Sequence, residues 1–128
     1  MPRRLLWVPL GLGALVVLAA CGGEKTYTLA KTRACLVGEP GLLVRRKVDF
    51  VASTALGGAV NVKLAHNQVT ISFGRDGDEA HRLATAYRRF RGRNIGIADV
   101  LRPKRNAVLL WQAHPADEDL ATIDRCLK

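Results

Sequence analysis

The stretch that most restricts the fold is residues 60–73. Val60, Val62 and Leu64 alternate with Asn61 and Lys63; beyond Ala65-His66-Asn67-Gln68, Val69, Ile71 and Phe73 alternate with Thr70 and Ser72. Successive side chains of a strand point to opposite faces, so two period-2 runs joined by a short polar link predict a β-hairpin with one buried face. A lone hairpin is not stable in water, so the rest of the chain must supply more strands and a layer of helix to cover the apolar face.

Three segments carry a helical period instead. Tyr27 to Val37 sets Leu29, Ala30, Cys35 and Leu36 along one stripe, with Thr28 as N-cap and Gly38-Glu39-Pro40-Gly41 as the stop. Asp76, with Glu79 three residues on, resembles a capping box and opens a helix expected to bury Ala80, Leu83, Tyr87 and Phe90. That helix starts acidic and ends on Arg88-Arg89-Phe90-Arg91-Gly92-Arg93, an arrangement the helix dipole favours. His114-Pro115 opens the last helix, with Asp117-Glu118-Asp119 in its first turn, Leu120, Ile123 and Leu127 along its stripe, and Cys126 beside them.

Leu42–Arg46 and Ala107–Trp111 read as strands, the second apolar on both faces. Val48, Phe50 and Ala52 alternate as a half-buried strand would, and Ile97–Leu101 fits either a strand or one helical turn. Pro103-Lys104-Arg105-Asn106 reads as a turn. The order helix, strands, helix, strands, helix predicts a small single α+β domain, a mostly antiparallel sheet with helices packed on one face. Val69–Tyr87 and Val108–Cys126 both run strand, polar break, acidic helix start and amphipathic helix, which also allows two ββα-like units.

No stretch carries a catalytic motif. His66, His81 and His114 stand at no metal-binding spacing, and the cysteines do not pair at zinc-finger spacing, so neither metal nor cofactor is expected. Ser53 and Ser72 lack the context of a nucleophile elbow, and Leu56-Gly57-Gly58 lacks the Lys-Ser/Thr of a phosphate loop. The acidic residues gather at helix starts, where capping accounts for them. No catalytic residue is assigned. The alternative is a small hydrolase-like enzyme that uses one of the three histidines with an Asp or Glu.

The first residues bear on where the chain resides. Arg3 and Arg4 precede an uncharged apolar run from Leu5 to Ala20, interrupted by Pro9, Gly11 and Gly13 and closed by Leu18-Ala19-Ala20-Cys21. The run is shorter than the ~20 residues a membrane-spanning helix needs. A basic start, a short apolar run and small residues before a cleavage point mark an export signal. The stretch resembles the signal peptide of bacterial lipoproteins, whose lipobox reads Leu, small, small, Cys. The resemblance covers the leader alone. It implies removal of residues 1–20 and a lipid on Cys21, which leaves a short lipidated tether over residues 21–26; by its length the remainder, residues 27–128, is expected to be a single domain. It also implies an exported protein held on the non-cytoplasmic side of a bacterial membrane.

Two expectations depend on that resemblance. With Cys21 lipidated, Cys35 and Cys126 remain, and outside the cytoplasm they are expected to form a disulfide; two unpaired buried thiols are the alternative. The chain carries a formal charge of +9. For an exported protein this favours anionic lipid, an acidic wall polymer or an envelope protein as partner, and no nucleic acid is expected. Arg88, Arg89, Arg91 and Arg93 form the candidate anion-binding patch, although the helix dipole is the preferred account of them. The functional expectation is a lipid-anchored envelope protein with a non-catalytic binding or structural role.

Overall fold

The computed structural model describes residues 25–91 and 96–128. Five strands form one antiparallel sheet: β1 (Leu43–Arg45), β2 (Ala59–Lys63), β3 (Gln68–Phe73), β4 (Leu101–Lys104) and β5 (Ala107–Trp111), in the spatial order β1-β2-β3-β5-β4. The helices are α1 (Leu29–Gly38), α2 (Phe50–Ser53), α3 (Gly77–Arg91), α4 (Ile97–Val100) and α5 (Asp117–Cys126). The protein is a small α+β domain. The hairpin read from residues 60–73 is β2–β3, with Val60 opposite Ile71 and Val62 opposite Val69.

The helices do not pack on one face of the sheet, as the sequence pattern suggested. Along β5, Ala107, Leu109 and Trp111 point to one side and Val108 and Leu110 to the other, and all five are buried. A strand apolar on both faces needs cover on both. The first face, with Val60, Val62, Val69, Ile71 and Phe73, packs against Leu36 of α1 and Ile123 and Cys126 of α5. The second face takes Ala80, Leu83, Ala84 and Tyr87 of α3 and Val51 of α2 against Leu101, Val108 and Leu110. Both ββα successions exist, as β2–β3–α3 and β4–β5–α5, but their helices lie on opposite faces, so the two units do not share one packing arrangement.

Cys35 and Cys126 are joined by a disulfide, with Cα atoms 5.2 Å apart, tying α1 to α5 across 91 residues of chain. The termini of the domain meet at other points as well. The Thr28 amide donates to the Lys128 carbonyl, and the Lys128 amide donates to the Thr32 hydroxyl. Asn106, buried in the β4–β5 turn, accepts from the Tyr27 amide and donates through its own amide to the carbonyls of Tyr27 and Gly74. The residue before it, Arg105, takes a left-handed backbone (φ 52°), which completes the two-residue turn.

Four local expectations change. Residues 50–53 form a helical turn, not a strand. Asp49 caps it by accepting from the Ala52 amide, and the Ser53 and Thr54 hydroxyls donate back to the carbonyls of Phe50 and Val51. Pro103 and Lys104 extend β4, which narrows the turn to Arg105-Asn106. In α1, Ala30 is exposed and Thr32 takes the buried place, held by its bond with Lys128. Phe90 is 67% exposed. The buried direction of α3 is set by Ala80, Leu83, Ala84 and Tyr87, and three residues beyond Tyr87 is about 60° off that line, where Phe90 meets the ring of Phe50 edge-on at 6.2 Å.

Candidate functional site

Helix α3 packs on β4 and β5 over the second face and leaves part of the β1–β2–β3 side open. What lies there follows from the register. Arg45 is opposite Asn61, Asn61 is opposite Thr70, and Thr70 is opposite Leu110, so three polar side chains stand in one row across three strands. Lys63 and Gln68 form the next pair on the same face. A cleft of about 530 Å³ opens over this row, lined by Arg45, Lys47, Asp49, Asn61, Gln68, Thr70 and Gln112, with Val48 and Leu110 as apolar walls.

The floor of the cleft is polar and nearly closed to solvent: Asn61 is 4% exposed and Thr70 8%. The Asn61 amide donates to the Thr70 hydroxyl (3.1 Å) and toward the Val69 carbonyl (3.4 Å). No protein group donates to Asn61 Oδ1, and the Thr70 hydroxyl proton reaches no protein acceptor among the described residues. Buried polar groups are normally hydrogen-bonded, so this floor offers one acceptor and one donor to whatever enters the cleft.

The rim is cationic. Arg45 and Lys47 are exposed, and neither has an acidic partner among the described residues. Asp49 is the acid in the lining, and its carboxylate is already occupied. It accepts from the Tyr87 hydroxyl at 2.9 and 3.0 Å and from the Ala52 amide at 2.9 Å. The net field of the cleft therefore favours an anion, while Gln68 and Gln112 add amides able to donate or accept.

A second carboxylate is committed in a similar way. Glu79, buried at the start of α3, accepts from the amides of Leu56 (2.9 Å) and Arg75 (2.6 Å). Burial alone raises its pKa, but the two amide bonds and the charges of Arg75 and Arg82 outweigh it and hold the carboxyl below the usual range. Asp76 caps the helix by accepting from the Glu79 amide, as the sequence indicated; the Glu79 side chain bonds to Leu56 and Arg75 and does not turn back to Asp76.

The three histidines do not converge. His66 is exposed in the β2–β3 turn, His81 is exposed on α3, and His114 is exposed in the loop before α5. His114 Nδ1 lies 2.7 and 2.8 Å from the Asp99 carboxylate, which Arg102 also approaches at 3.6 Å. This is a histidine–carboxylate pair on open surface, and neither residue lines the cleft. Cys35 and Cys126 lie near Glu39, but sulfurs joined to each other offer no thiolate to a metal.

Of the predicted arginine patch, Arg88 and Arg89 are exposed on the last turns of α3, about 100° apart around the helix, and point in different directions. The Arg91 side chain, Arg93 and Cys21 lie outside the described residues, as does the leader. Sequence reasoning missed the cleft. Asn61, Thr70 and Gln68 read as the solvent side of a hairpin, and Arg45 and Lys47 as the end of a short strand. The available signal was the polar side of the second strand, which carries Gln68, Thr70 and Ser72 without the long charged residues that usually cover an exposed face. Comparison with known proteins returned no matching family model, no similar curated protein and no similar solved structure.

Proposed function

We propose that this is a lipid-anchored cell-envelope protein whose role is to bind, without catalysis, an anionic and hydrogen-bonding envelope component, and that the sheet-face cleft is where it binds. The observation behind this reading is the pairing of a nearly buried Asn61–Thr70 floor, with unused hydrogen-bonding capacity, and a rim of two unpaired cations. A carboxylate or phosphate entering there meets Arg45 and Lys47, and neighbouring hydroxyl or amide groups meet Asn61, Gln68 and Gln112. The lipobox resemblance of Leu18-Ala19-Ala20-Cys21 and the net charge of +9 support the envelope setting.

Two measurements test the two halves of the reading. Titration of the protein with an anionic wall-polymer fragment and with a polyglutamate peptide should show binding that weakens with salt. The double variant Arg45→Gln, Lys47→Gln should weaken it by about tenfold or more, and binding unchanged in that variant would remove the cleft from the proposal. Intact mass of the protein extracted from its own membranes should give a chain that begins at Cys21 and carries added lipid; an unmodified chain overturns the anchor. The Asp99–His114 pair favours a hydrolase as the second reading. Ester hydrolysis that His114→Ala abolishes would install that reading.

A further inference from the structure

The second face of the domain carries another feature that the cleft does not use. Large apolar side chains exposed singly are ordinary, whereas a contiguous group marks an interaction surface. Five large hydrophobic residues are exposed among the described residues, and three of them, Phe50 (73%), Phe90 (67%) and Leu56 (63%), lie along the seam where α2 and the segment after it meet α3. Phe50 and Phe90 touch edge to face at one end. Leu56 lines the next hollow along the seam, together with Ala86 and Arg82 of α3.

Two arginines of α3 flank the seam. Arg82 and Arg89 are both exposed, seven residues apart on α3, hence on one side of the helix and about 10 Å apart along it. Neither has an ion-pair partner among the described residues. The carboxylates nearest the seam are spoken for. Asp49 is held by Tyr87 and Ala52, and Glu79 by Leu56 and Arg75. The seam therefore offers exposed rings and a leucine flanked by two exposed arginines, while the two carboxylates that line it, Asp49 and Glu79, are held in hydrogen bonds within the fold. Apolar residues on one side and arginines beside them are what an element lying in the bilayer interface presents. Anionic headgroups take the cations, and the acyl boundary takes the rings.

We propose that the α2–α3 seam docks the domain onto an anionic lipid surface, with Phe50, Phe90 and Leu56 entering the acyl boundary and Arg82 and Arg89 meeting the headgroups. The proposal rests on the envelope reading only in placing a membrane within reach; the contact itself is argued from the seam.

The test uses the full chain reconstituted in vesicles of phosphatidylcholine alone or with phosphatidylglycerol. Phe50→Trp and Phe90→Trp place a reporter in the seam, and each signal is read as the difference from the parent, which contains the buried Trp111 and, where residues 1–20 are retained, Trp7. Both positions are exposed, so the variants should melt with the parent. In phosphatidylglycerol vesicles the added tryptophan should shift to shorter wavelength and be quenched by acyl-brominated lipid. Both effects should fade in phosphatidylcholine or at high salt. At about fivefold per arginine, Arg82→Gln with Arg89→Gln should reduce the docked-to-undocked ratio about 25-fold.

A tryptophan that stays unquenched and solvent-exposed while the protein co-floats with the vesicles overturns the docking and leaves the anchor standing. Quenching by a chain whose native form carries no lipid on Cys21 supports the docking and overturns the anchor. Concentration-dependent self-association that Phe50→Asp with Phe90→Asp abolishes, together with no quenching, assigns the seam to a second copy of the chain and overturns the lipid proposal.

Discussion

Asn106→Asp is the substitution whose outcome the structure fixes most tightly. It preserves shape and changes one donor into an acceptor. In the protein, Asn106 accepts from the Tyr27 amide at 2.6 Å and donates at 2.8 Å to the carbonyls of Tyr27 and Gly74, and it is 2% exposed. The carboxylate keeps the first bond, loses both others, and faces two carbonyl oxygens that it repels. At about 1–3 kcal/mol for each buried group left unpaired, and with a charge to desolvate, the loss should be roughly 3–5 kcal/mol. A domain of about 100 residues unfolds with about 0.2 kcal/mol/K of entropy, so the melting point should fall by roughly 15–25 °C. The sign with pH is fixed too. The new carboxyl is pushed up in the folded state, so the penalty of its charge is full above that raised value, shrinks as the pH falls through it, and is gone below the ordinary carboxyl pKa of about 4. Thermal denaturation at neutral pH and again near pH 3.5 measures both parts, each against the parent under the same conditions. A variant within about 1 kcal/mol of the parent at neutral pH, or one whose deficit grows on acidification, would refute the account of how this turn is held.

Glu79→Gln should destabilise the protein by about 1–3 kcal/mol at neutral pH, because charge-assisted bonds from the amides of Leu56 and Arg75 weaken. The folded pKa of Glu79 lies below its unfolded value, so its stabilisation is present above the unfolded value and lost as the pH falls through the folded one. The gap between parent and variant in denaturant melts should therefore close in acid. Removing the Cys35–Cys126 bridge as the double serine variant should cost about 4–5 kcal/mol, from a loop of 91 residues. Reductant should lower the melting point of the parent and leave that of the variant unchanged; a parent indifferent to reductant would show that the bridge does not support the fold.

Legibility followed periodicity. The hairpin at residues 60–73, the apolar strand ending at Trp111 and the helices from Leu29 and Gly77 all repeat over enough residues for burial to dominate. Short elements did not. Val48–Ala55 alternates as a strand, yet one carboxylate at Asp49 and two hydroxyls at Ser53 and Thr54 satisfy enough backbone groups to make a helical turn instead. Which face a helix takes is also hidden locally. The stripe of α3 shows which side of α3 is buried; only the strand it meets decides where α3 lies. Here β5, apolar on both sides, demanded a second layer, so α3 and α5 went to opposite faces.

The candidate site follows from that same division. Had every helix packed on the first face, Asn61, Thr70 and Gln68 would be ordinary solvent-side residues, well hydrated and of no special interest. Because α3 packs on β4 and β5 and stops short of Asn61, Thr70 and Gln68, the segment leading into α2 and the end of β5 raise walls around these residues and remove Asn61 and Thr70 from water without supplying all their partners. A floor kept this polar costs stability compared with an apolar one that α3 could cover completely. The hydroxyl of Ser72 shows the contrast. It is buried on the same face, in the row of Val108, and makes no hydrogen bond among the described residues, yet it does not line the cleft. Burial of a polar group is therefore not what singles out Asn61 and Thr70. Their access to a cleft with Arg45 and Lys47 at its rim is, and replacing Arg45 and Lys47 should weaken anion binding while leaving Asn61 and Thr70 as buried as before.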